Sequence, residues 1–279
     1  MQIGAAVFAT DRSWPIAEVA RAVEDLGLHS LAVPEHTHLP VEHTPHPSGG
    51  PLADEYRRLL DPFVALSVAA AVTSRIRLTT ALCLLAQHDP IVAAKAVASL
   101  DQVSGGRVTF GVGYGWNAPE VEHHGVAFTE RRAVVRERIE VARALWTRQE
   151  ADFAGTHHTL APSWAWPKPV QQPHPPVLIG AGLGPRTLRD LVAVADGWMP
   201  LGLHPTLEGL DRLRAAWSAA GRDGAPHVHT LLARSTTSAF EQLAEAGVDA
   251  LSVWLPSAPR EQAQPALEAL AAAARSLTG

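Results

Sequence analysis

Short apolar runs alternate with longer amphipathic segments along almost the whole chain. The short runs are apolar at consecutive positions, which is typical of strands buried on both faces of a parallel sheet. The longer segments repeat their apolar residues with helical spacing. Strands are predicted at residues 2–9, 29–36, 77–85, 107–114, 176–181, 197–201, 228–233 and 249–255. Helices are predicted at residues 15–26, 62–73, 90–104, 130–149, 186–195, 205–220, 237–246 and 260–277.

The order of these elements predicts an α/β fold built from strand–helix units. Eight units in 279 residues fit a (β/α)8 TIM barrel with loop insertions at the C-terminal face of the barrel. A doubly wound sheet is the alternative, but no Gly-x-Gly-x-x-Gly motif follows the first strand. We find no internal repeat or linker and predict one domain over residues 1–279. Two irregular segments, residues 41–60 and 151–176, are predicted to be loops that set substrate specificity.

Composition and charge disfavour several classes of partner. The formal net charge is −5 and no cluster of Lys or Arg is present, so neither nucleic acid nor an anionic membrane is expected to bind. Cys83 is the single cysteine, which rules out an internal disulfide. No apolar run reaches the roughly 18 residues of a membrane span, and the N-terminal segment lacks the pattern of a secretory signal. We therefore expect a cytoplasmic protein that acts on a small molecule.

The end of the second predicted strand carries the first candidate chemistry. Residues 31–40 read LAVPEHTHLP, and a period of two places His36 and His38 on one face and Glu35 on the other. Three interpretations are open: hydrogen-bonded histidines at a strand end, a metal site, or a histidine that transfers a proton. The metal site is disfavoured because strands five to eight offer no inward histidine. The histidines of the loops, His43, His46, His123 and His124, are predicted to be solvated.

Glycines cluster at the ends of the fourth and fifth predicted strands. Strand four ends in GVGYGWN, whose alternate glycines suit either the close approach of a planar ligand or a tight turn. Strand five ends in IGAGLGPRTL, which places Arg186 and the Thr187 hydroxyl at a helix start with free N–H groups. This second arrangement favours a phosphate or other anion site at the barrel mouth.

These stretches resemble the luciferase-like monooxygenase superfamily, in its branch of coenzyme F420-dependent oxidoreductases. The matching stretches are VPEHTHLP, ALCLLAQHDP, SLDQVSGGRVTFGVGYGW, SWAWPKPVQ, PPVLIGAG and DGWMPLG, in that order. The resemblance implies a barrel with a flavin or deazaflavin at its C-terminal mouth. It also implies a non-proline cis peptide at Ala81–Leu82, or second at Leu82–Cys83, behind the ring of the cofactor. His36 would be the active-site histidine, with Glu35 at the acidic position beside it.

The resemblance further implies which residues hold the ligands. Those for the cofactor are Ala81, Leu82, Cys83, Gly111, Gly113, Gly115, Trp116, Asn117, Gly180, Ala181, Gly182, Gly184, Arg186 and Thr187. From the residues themselves, Trp14 and Trp198 are candidates for an apolar substrate wall, with core packing as the equal alternative. His38 is expected to face the substrate or the side of the loop that carries Asp54 and Glu55.

The implied function is hydride transfer between coenzyme F420 and a small organic substrate, with His36 giving or taking the accompanying proton. FMN would fit the same phosphate-binding loop. A monooxygenase that uses O2 and reduced flavin from a flavin reductase is therefore the alternative, and a metal-dependent barrel hydrolase is a more remote one. Proteins of this kind are commonly dimers through helices on one side of the barrel, so a homodimer is expected.

Overall fold

A closed parallel barrel forms the centre of the computed structural model, which describes residues 1–47 and 49–277. The strands of the described chain are β1 (Gln2–Ala6), β2 (Ser30–Val33), β3 (Arg77–Thr80), β4 (Cys83–Leu84), β5 (Val108–Gly113), β6 (Ala151–Ala154), β7 (Thr159–Ser163), β8 (Val177–Gly180), β9 (Gly197–Trp198), β10 (His227–Leu232) and β11 (Ala250–Trp254). β3 pairs with β2 and β5, and β11 pairs with β1, so the ring closes. The predicted (β/α)8 fold is confirmed.

Helices surround this barrel on the outside. Those of the described residues are α1 (Ile16–Asp25), α2 (Pro62–Val72), α3 (Pro90–Ser104), α4 (Ala118–His123), α5 (Arg131–Thr147), α6 (Pro185–Val194), α7 (Leu203–Ala219), α8 (Thr237–Glu245) and α9 (Arg260–Ser276). Asp61 and Asp89 cap α2 and α3 by accepting backbone N–H groups, as their Asp-Pro sequences predict. Among the described residues, no helix has the length and apolarity needed to cross a membrane.

Four local features differ from the elements that the hydrophobic pattern predicts. β2 ends at Val33, before the histidines, because Pro34 has no N–H to donate to a strand ladder. A cis peptide bond between Ala81 and Leu82 interrupts the third predicted strand and separates β3 from β4. Residues 151–176, predicted to be a loop, contain the antiparallel hairpin β6–β7, and the short helix α4 was not predicted.

The barrel interior consists of two layers of side chains, an apolar layer near the C-terminal ends of the strands and a polar layer nearer their N-terminal ends. The apolar layer contains Ala6, Ala32, Ala81, Leu178, Met199 and Leu231. Side chains two residues earlier on several of these strands also point inward and are polar, namely Ser30, Thr79 and His229. His229 shows that the expectation of no inward histidine on strands five to eight was wrong. The polar layer is unusual, since TIM barrels are mostly filled with bulky apolar side chains.

Candidate active site at the barrel mouth

Glu35 holds the chain that follows the interrupted third strand. One carboxylate oxygen accepts the backbone N–H of Leu84 at 2.6 Å, and the other lies 2.6 Å from Nε2 of His88. Burial alone would lower the pKa of His88, but the hydrogen bond and negative charge of Glu35 raise it above its ordinary value. Glu35, predicted to be catalytic, thus lies where it positions β4 and the His88 ring.

His36 forms a buried pair with a carboxylate that the sequence analysis did not identify. Nδ1 of His36 donates to Oε2 of Glu120 at 2.8 Å, and the side chains are only 5% and 1% exposed. The rings of Tyr56 and Trp116 lie beside the imidazole, with centroids 5.5 and 5.7 Å away. A carboxylate on Nδ1 fixes the orientation of the ring and leaves Nε2 for proton exchange.

His38 does not share a face with His36, because the chain has left the strand by this point. It is exposed, and its Nε2 lies 2.9 Å from Nδ1 of His123, with the two rings stacked. Thr37, between the two histidines, bonds to Nε2 of His124 at 2.8 Å. The His36 and His38 side chains therefore diverge, and they do not form the two-histidine face on which a metal site was considered.

The cluster of side chains that most resembles a metal site consists of other residues. Within the described chain, ligand atoms of Glu35, Cys83 and His88 lie within 4.8 Å of one another. Glu35 is already paired with His88 and with a backbone N–H, and burial followed by the nearby Glu35 charge raises the pKa of the Cys83 thiol well above its ordinary value. A protonated thiol is a poor metal ligand.

Two residues of the loop after β2, Thr44 and His46, contact residues at the mouth. Asn117, predicted to hold the cofactor, instead accepts the Thr44 N–H at 3.0 Å and so anchors this loop. His46, predicted to be solvated, packs edge-on against Tyr56 and Trp116 with ring centroids 5.2 and 5.1 Å away. Burial and the nearby His36 lower its pKa. His43 is exposed as predicted.

Leu82, the residue after the cis bond, fills a gap between two glycines. A Cβ on Gly180 would lie 2.3 Å from Cδ1 of Leu82, and one on Gly113 would lie 3.2 Å from it. The Leu82 side chain thus occupies the space beside Gly180, where a Cβ would displace it, and packs closely against Gly113. The cis bond at Ala81–Leu82, the first of the two positions implied by the resemblance, is confirmed.

The remaining strand-four glycines have structural explanations. A Cβ on Gly111 would lie 2.1 Å from the carbonyl oxygen of Thr80, so this glycine permits close contact between neighbouring strands. Gly115 has φ of +80°, the left-handed conformation of a tight turn. Of the two interpretations of GVGYGWN, the described contacts favour the turn, and the space beside Gly111 is taken by the barrel wall.

The strand-five loop is open where an anion was predicted. A Cβ on Gly182 or Gly184 would meet no atom within 4 Å, and Arg186 is exposed. Thr187 is buried, and its hydroxyl donates to the Gly182 carbonyl at 2.8 Å while accepting from Nη2 of Arg132 at 3.0 Å. The space beside the loop is thus open, with Arg186 on the loop and Arg132 next to it, whereas the Gly184 N–H and the Thr187 hydroxyl are already paired.

Arg132 is the second residue that the sequence analysis missed. It lies on α5, stacks 4.0 Å from the ring centre of Tyr114 and donates to Asp190 at 3.0 Å. Arg136, one helical turn later, lies 3.6 Å from the same carboxylate. Burial and then the hydrogen bond to Asp190 raise the pKa of Tyr114. Arg186 is therefore not the only cation on this side of the mouth.

Two of the three residues predicted to contact substrate lie in the core. Trp14 is 2% exposed and donates its indole N–H to Glu18 at 3.0 Å. Trp198 is 1% exposed, donates to the Ala181 carbonyl at 2.8 Å and packs over Gly209. These side chains have no free face for a substrate, so both positions are corrected to packing roles.

The polar groups gathered at the C-terminal ends of the strands lie where TIM-barrel enzymes carry their active sites. The family model of luciferase-like monooxygenases matches residues 8–278, and the chain belongs to that family.

Known relatives agree with this assignment. An uncharacterised protein of Mycobacterium tuberculosis strain H37Rv is 43% identical over 277 residues, covering 98% of each chain. Among solved structures, the monooxygenase RslO1 from Streptomyces bottropensis has a TM-score of 0.81 at 21% identity over 100% of both chains. An F420-dependent secondary alcohol dehydrogenase in complex with an F420–acetone adduct has a TM-score of 0.78 at 18% identity, over 98% of this chain and 97% of that one. At these identities the two structures show a shared fold.

Proposed function

We propose that the protein is a coenzyme F420-dependent oxidoreductase that exchanges a hydride between the deazaflavin and a small organic substrate. The observation that carries this proposal is the buried pair of His36 and Glu120 at the mouth. Reduction of a carbonyl or oxidation of an alcohol moves a proton together with the hydride, and this pair can handle that proton. The shared fold with an F420-dependent alcohol dehydrogenase is a further support.

The proton would move at Nε2 of His36. Because Nδ1–H donates to Glu120, the neutral ring accepts at Nε2, and the carboxylate charge stabilises the imidazolium that results. His36 would take the proton of an alcohol that is oxidised and return it to a carbonyl oxygen that is reduced. The hydride exchange itself is the chemistry that coenzyme F420 supplies when bound.

Unpaired polar atoms support a bound polar cofactor at this mouth. Within the described chain, Gln87 Nε2, Glu120 Oε1 and Arg132 Nε are buried without a hydrogen-bond partner. Such atoms are rare in folded proteins unless a ligand or water pairs with them. Leu82 would lie behind the cofactor ring, and Arg132, Arg186 and the first N–H groups of α6 would hold its phosphate.

An FMN-dependent monooxygenase is the second candidate, because RslO1 is a monooxygenase and shares the fold over its whole length. The same arginines and backbone N–H groups would hold the FMN phosphate. This enzyme would need O2 and a partner that supplies reduced flavin.

Parallel titrations with oxidised F420 and with FMN test the choice. Trp116 packs against the active-site histidine, so quenching of tryptophan fluorescence reports binding at this site. Tight binding of F420 with weak binding of FMN is expected. The reverse result would reject the proposal in favour of the monooxygenase, and binding of neither would reject both.

Replacing Arg132 with methionine is expected to weaken cofactor binding by about tenfold, because a charge-assisted contact to phosphate is lost. Arg189 on α6 is an exposed arginine with no ion pair among the described residues, so Arg189→Met is the matched control and should bind as the wild type does. Dissociation constants from the same fluorescence titration give the comparison. Equal affinity of the Arg132 variant and the wild type would show that Arg132 does not contact the phosphate.

We also propose that the protein is a homodimer through α2 and α3. An apolar groove between these helices is lined by Phe63, Val64, Val68, Leu100 and Val103. Val64 and Val103 are 62% and 66% exposed, and α2 is apolar on all its faces, which is typical of a buried helix. Val64→Glu is expected to convert a dimer to a monomer in sedimentation velocity. A monomeric wild-type protein at micromolar concentration would contradict the proposal.

A further inference from the structure

A cavity of about 650 Å³ opens at the opposite end of the barrel, where the strands begin. It reaches inward to the polar layer of the barrel. Its polar lining consists of Gln2, His29, Ser30, Arg77, Thr79, Thr109, Gln171, His227, His229 and Asp249. The volume is within the range of small-molecule sites, although this end of a TIM barrel ordinarily serves stability.

The inner side chains offer hydrogen-bond donors that the protein does not use. Arg77 donates from Nε to Thr109 at 3.0 Å, and from Nη2 to the Val108 carbonyl at 2.7 Å and to Gln171 at 3.0 Å. Its Nη1 makes no hydrogen bond within the described chain. His229, at the base, bonds to Ser252 at 2.9 Å. The Thr79 hydroxyl is wholly buried without a partner among the described residues. An unpaired buried hydroxyl beside a cavity is what a polar ligand would satisfy.

The charges at the base of the cavity favour an anion. Burial, followed by the charges of His227, His29 and Arg77, lowers the pKa of His229 to about 3. Burial is the largest of these causes and the histidine rings are neutral at pH 7, so Arg77 supplies the positive charge at this end of the barrel. A bound anion would favour the protonated forms of the rings. The Asp249 carboxylate is at the rim, with its side chain 48% exposed and 3.6 Å from Nδ1 of His227.

A second nearby carboxylate, that of Asp101, does not line the cavity. Asp101 lies behind Gln171 and accepts N–H groups from the backbone of Gln171, from its side chain and from the backbone of Val108. Its charge is therefore already compensated by hydrogen-bond donors.

We infer that this cavity binds a small anionic metabolite through a tetrahedral oxyanion group held by Arg77, the three histidines and the Thr79 hydroxyl. The apolar layer of the barrel separates it from the mouth, so its occupancy can be measured whether or not the proposed oxidoreductase activity is correct.

Sulfate is the first probe, because it remains a dianion over the whole pH range of the experiment. At constant ionic strength, millimolar sulfate is expected to shift the imidazole resonances of His29, His227 and His229 saturably in NMR spectra. Arg77→Met should abolish the saturable shift, and Arg75→Met, which removes an exposed arginine, should leave it unchanged. A cavity that holds only water would show no saturable shift, and this result in the wild type would overturn the inference. A shift that is unchanged in Arg77→Met would overturn it as well.

Thr79→Val is a second variant that does not depend on the folding of the Arg77 variant. The two side chains have nearly the same shape, and the hydroxyl makes no bond in the free protein, so thermal stability should be equal or higher. Sulfate affinity should fall by about three- to tenfold, as expected for the loss of one hydrogen bond to a charged group. Equal sulfate affinity in the two proteins would overturn the site.

Glycerol phosphate compared with inorganic phosphate distinguishes two sources of the oxyanion. Tighter binding of the ester would support a phosphorylated metabolite that uses the rest of the cavity. Equal binding would support free phosphate.

Sulfate binding is also expected to take up protons. The titratable and charged groups that act on this cluster are Arg77, Asp101, Asp196, Asp249, His29, His227 and His229. In the free protein burial lowers the pKa of each histidine, so the rings are neutral at pH 7, and a dianion favours their protonated forms. Affinity should therefore rise as the pH falls from about 8 to about 6, measured by titration calorimetry in buffers of different ionisation enthalpy. A sulfate affinity that does not change with pH would show that the three histidines do not contribute to binding.

Discussion

Replacing His36 with alanine is expected to lower turnover by about 10²–10⁴-fold, because the proton that accompanies the hydride would lose its donor and acceptor. Binding of oxidised F420 should change by less than about threefold, since Arg132 and Arg186 are proposed to hold the phosphate. Turnover is measured from the absorbance of F420 with a panel of secondary alcohols and ketones, and binding from tryptophan fluorescence.

His43 provides the matched control for that experiment. It is an exposed histidine on the loop after β2, and its ring bonds only to the adjacent Thr44 carbonyl. His43→Ala should therefore retain wild-type turnover. Turnover near the wild-type level in His36→Ala would remove the proton-transfer role from this histidine even if F420 binds tightly.

Replacing Gly180 with alanine is expected to weaken cofactor binding by about ten- to a hundredfold while the barrel still folds. The new Cβ would lie 2.3 and 2.5 Å from the two Cδ atoms of Leu82, so the end of a flexible side chain must move, and it must move at the surface proposed to lie behind the cofactor ring. The dissociation constant of F420 and the circular dichroism spectrum measure the two expectations.

Two further variants identify the cause of this effect. Gly182→Ala introduces a methyl group that meets no protein atom within 4 Å, so any loss of affinity there would come from contact with the cofactor itself, and Leu82→Ala should not restore it. The double variant Gly180→Ala with Leu82→Ala removes the side-chain atoms that the new Cβ would meet. Its affinity for the cofactor should therefore be higher than that of Gly180→Ala alone. If Gly180→Ala binds F420 as tightly as the wild type, the Leu82 side chain is not part of the cofactor site.

The barrel could be predicted from the sequence because its signals are local. Consecutive apolar residues mark each strand, and Asp-Pro pairs mark the starts of α2 and α3. The place of His36 at the mouth followed from its position at the end of a strand. The period-two prediction for His38 was wrong because Pro34 ends the ladder before either histidine.

The partners of the site residues could not be predicted, because the fold brings them together from distant parts of the chain. Glu120 is 84 positions from His36 and occupies a short helix that carries no distinctive pattern. Arg132 is one of several arginines on α5, and only the packed structure shows which of them reaches Thr187. The assignment of Trp198 to the substrate could not be decided from the sequence, because a large aromatic residue at a strand end is equally typical of a pocket wall and of the core.

The burial of Cys83 gives the chain an internal reporter of its own motion. It is the one cysteine of the sequence, it has no exposed surface, and burial followed by the Glu35 charge keeps its thiol protonated in the folded state. A thiol reagent can therefore react only during moments when the residues around β4 separate. The labelling rate under native conditions measures the free energy of that local opening. The labelling rate of the unmodified protein thus reports how often the segment around β4 opens, and how far a bound ligand suppresses this opening.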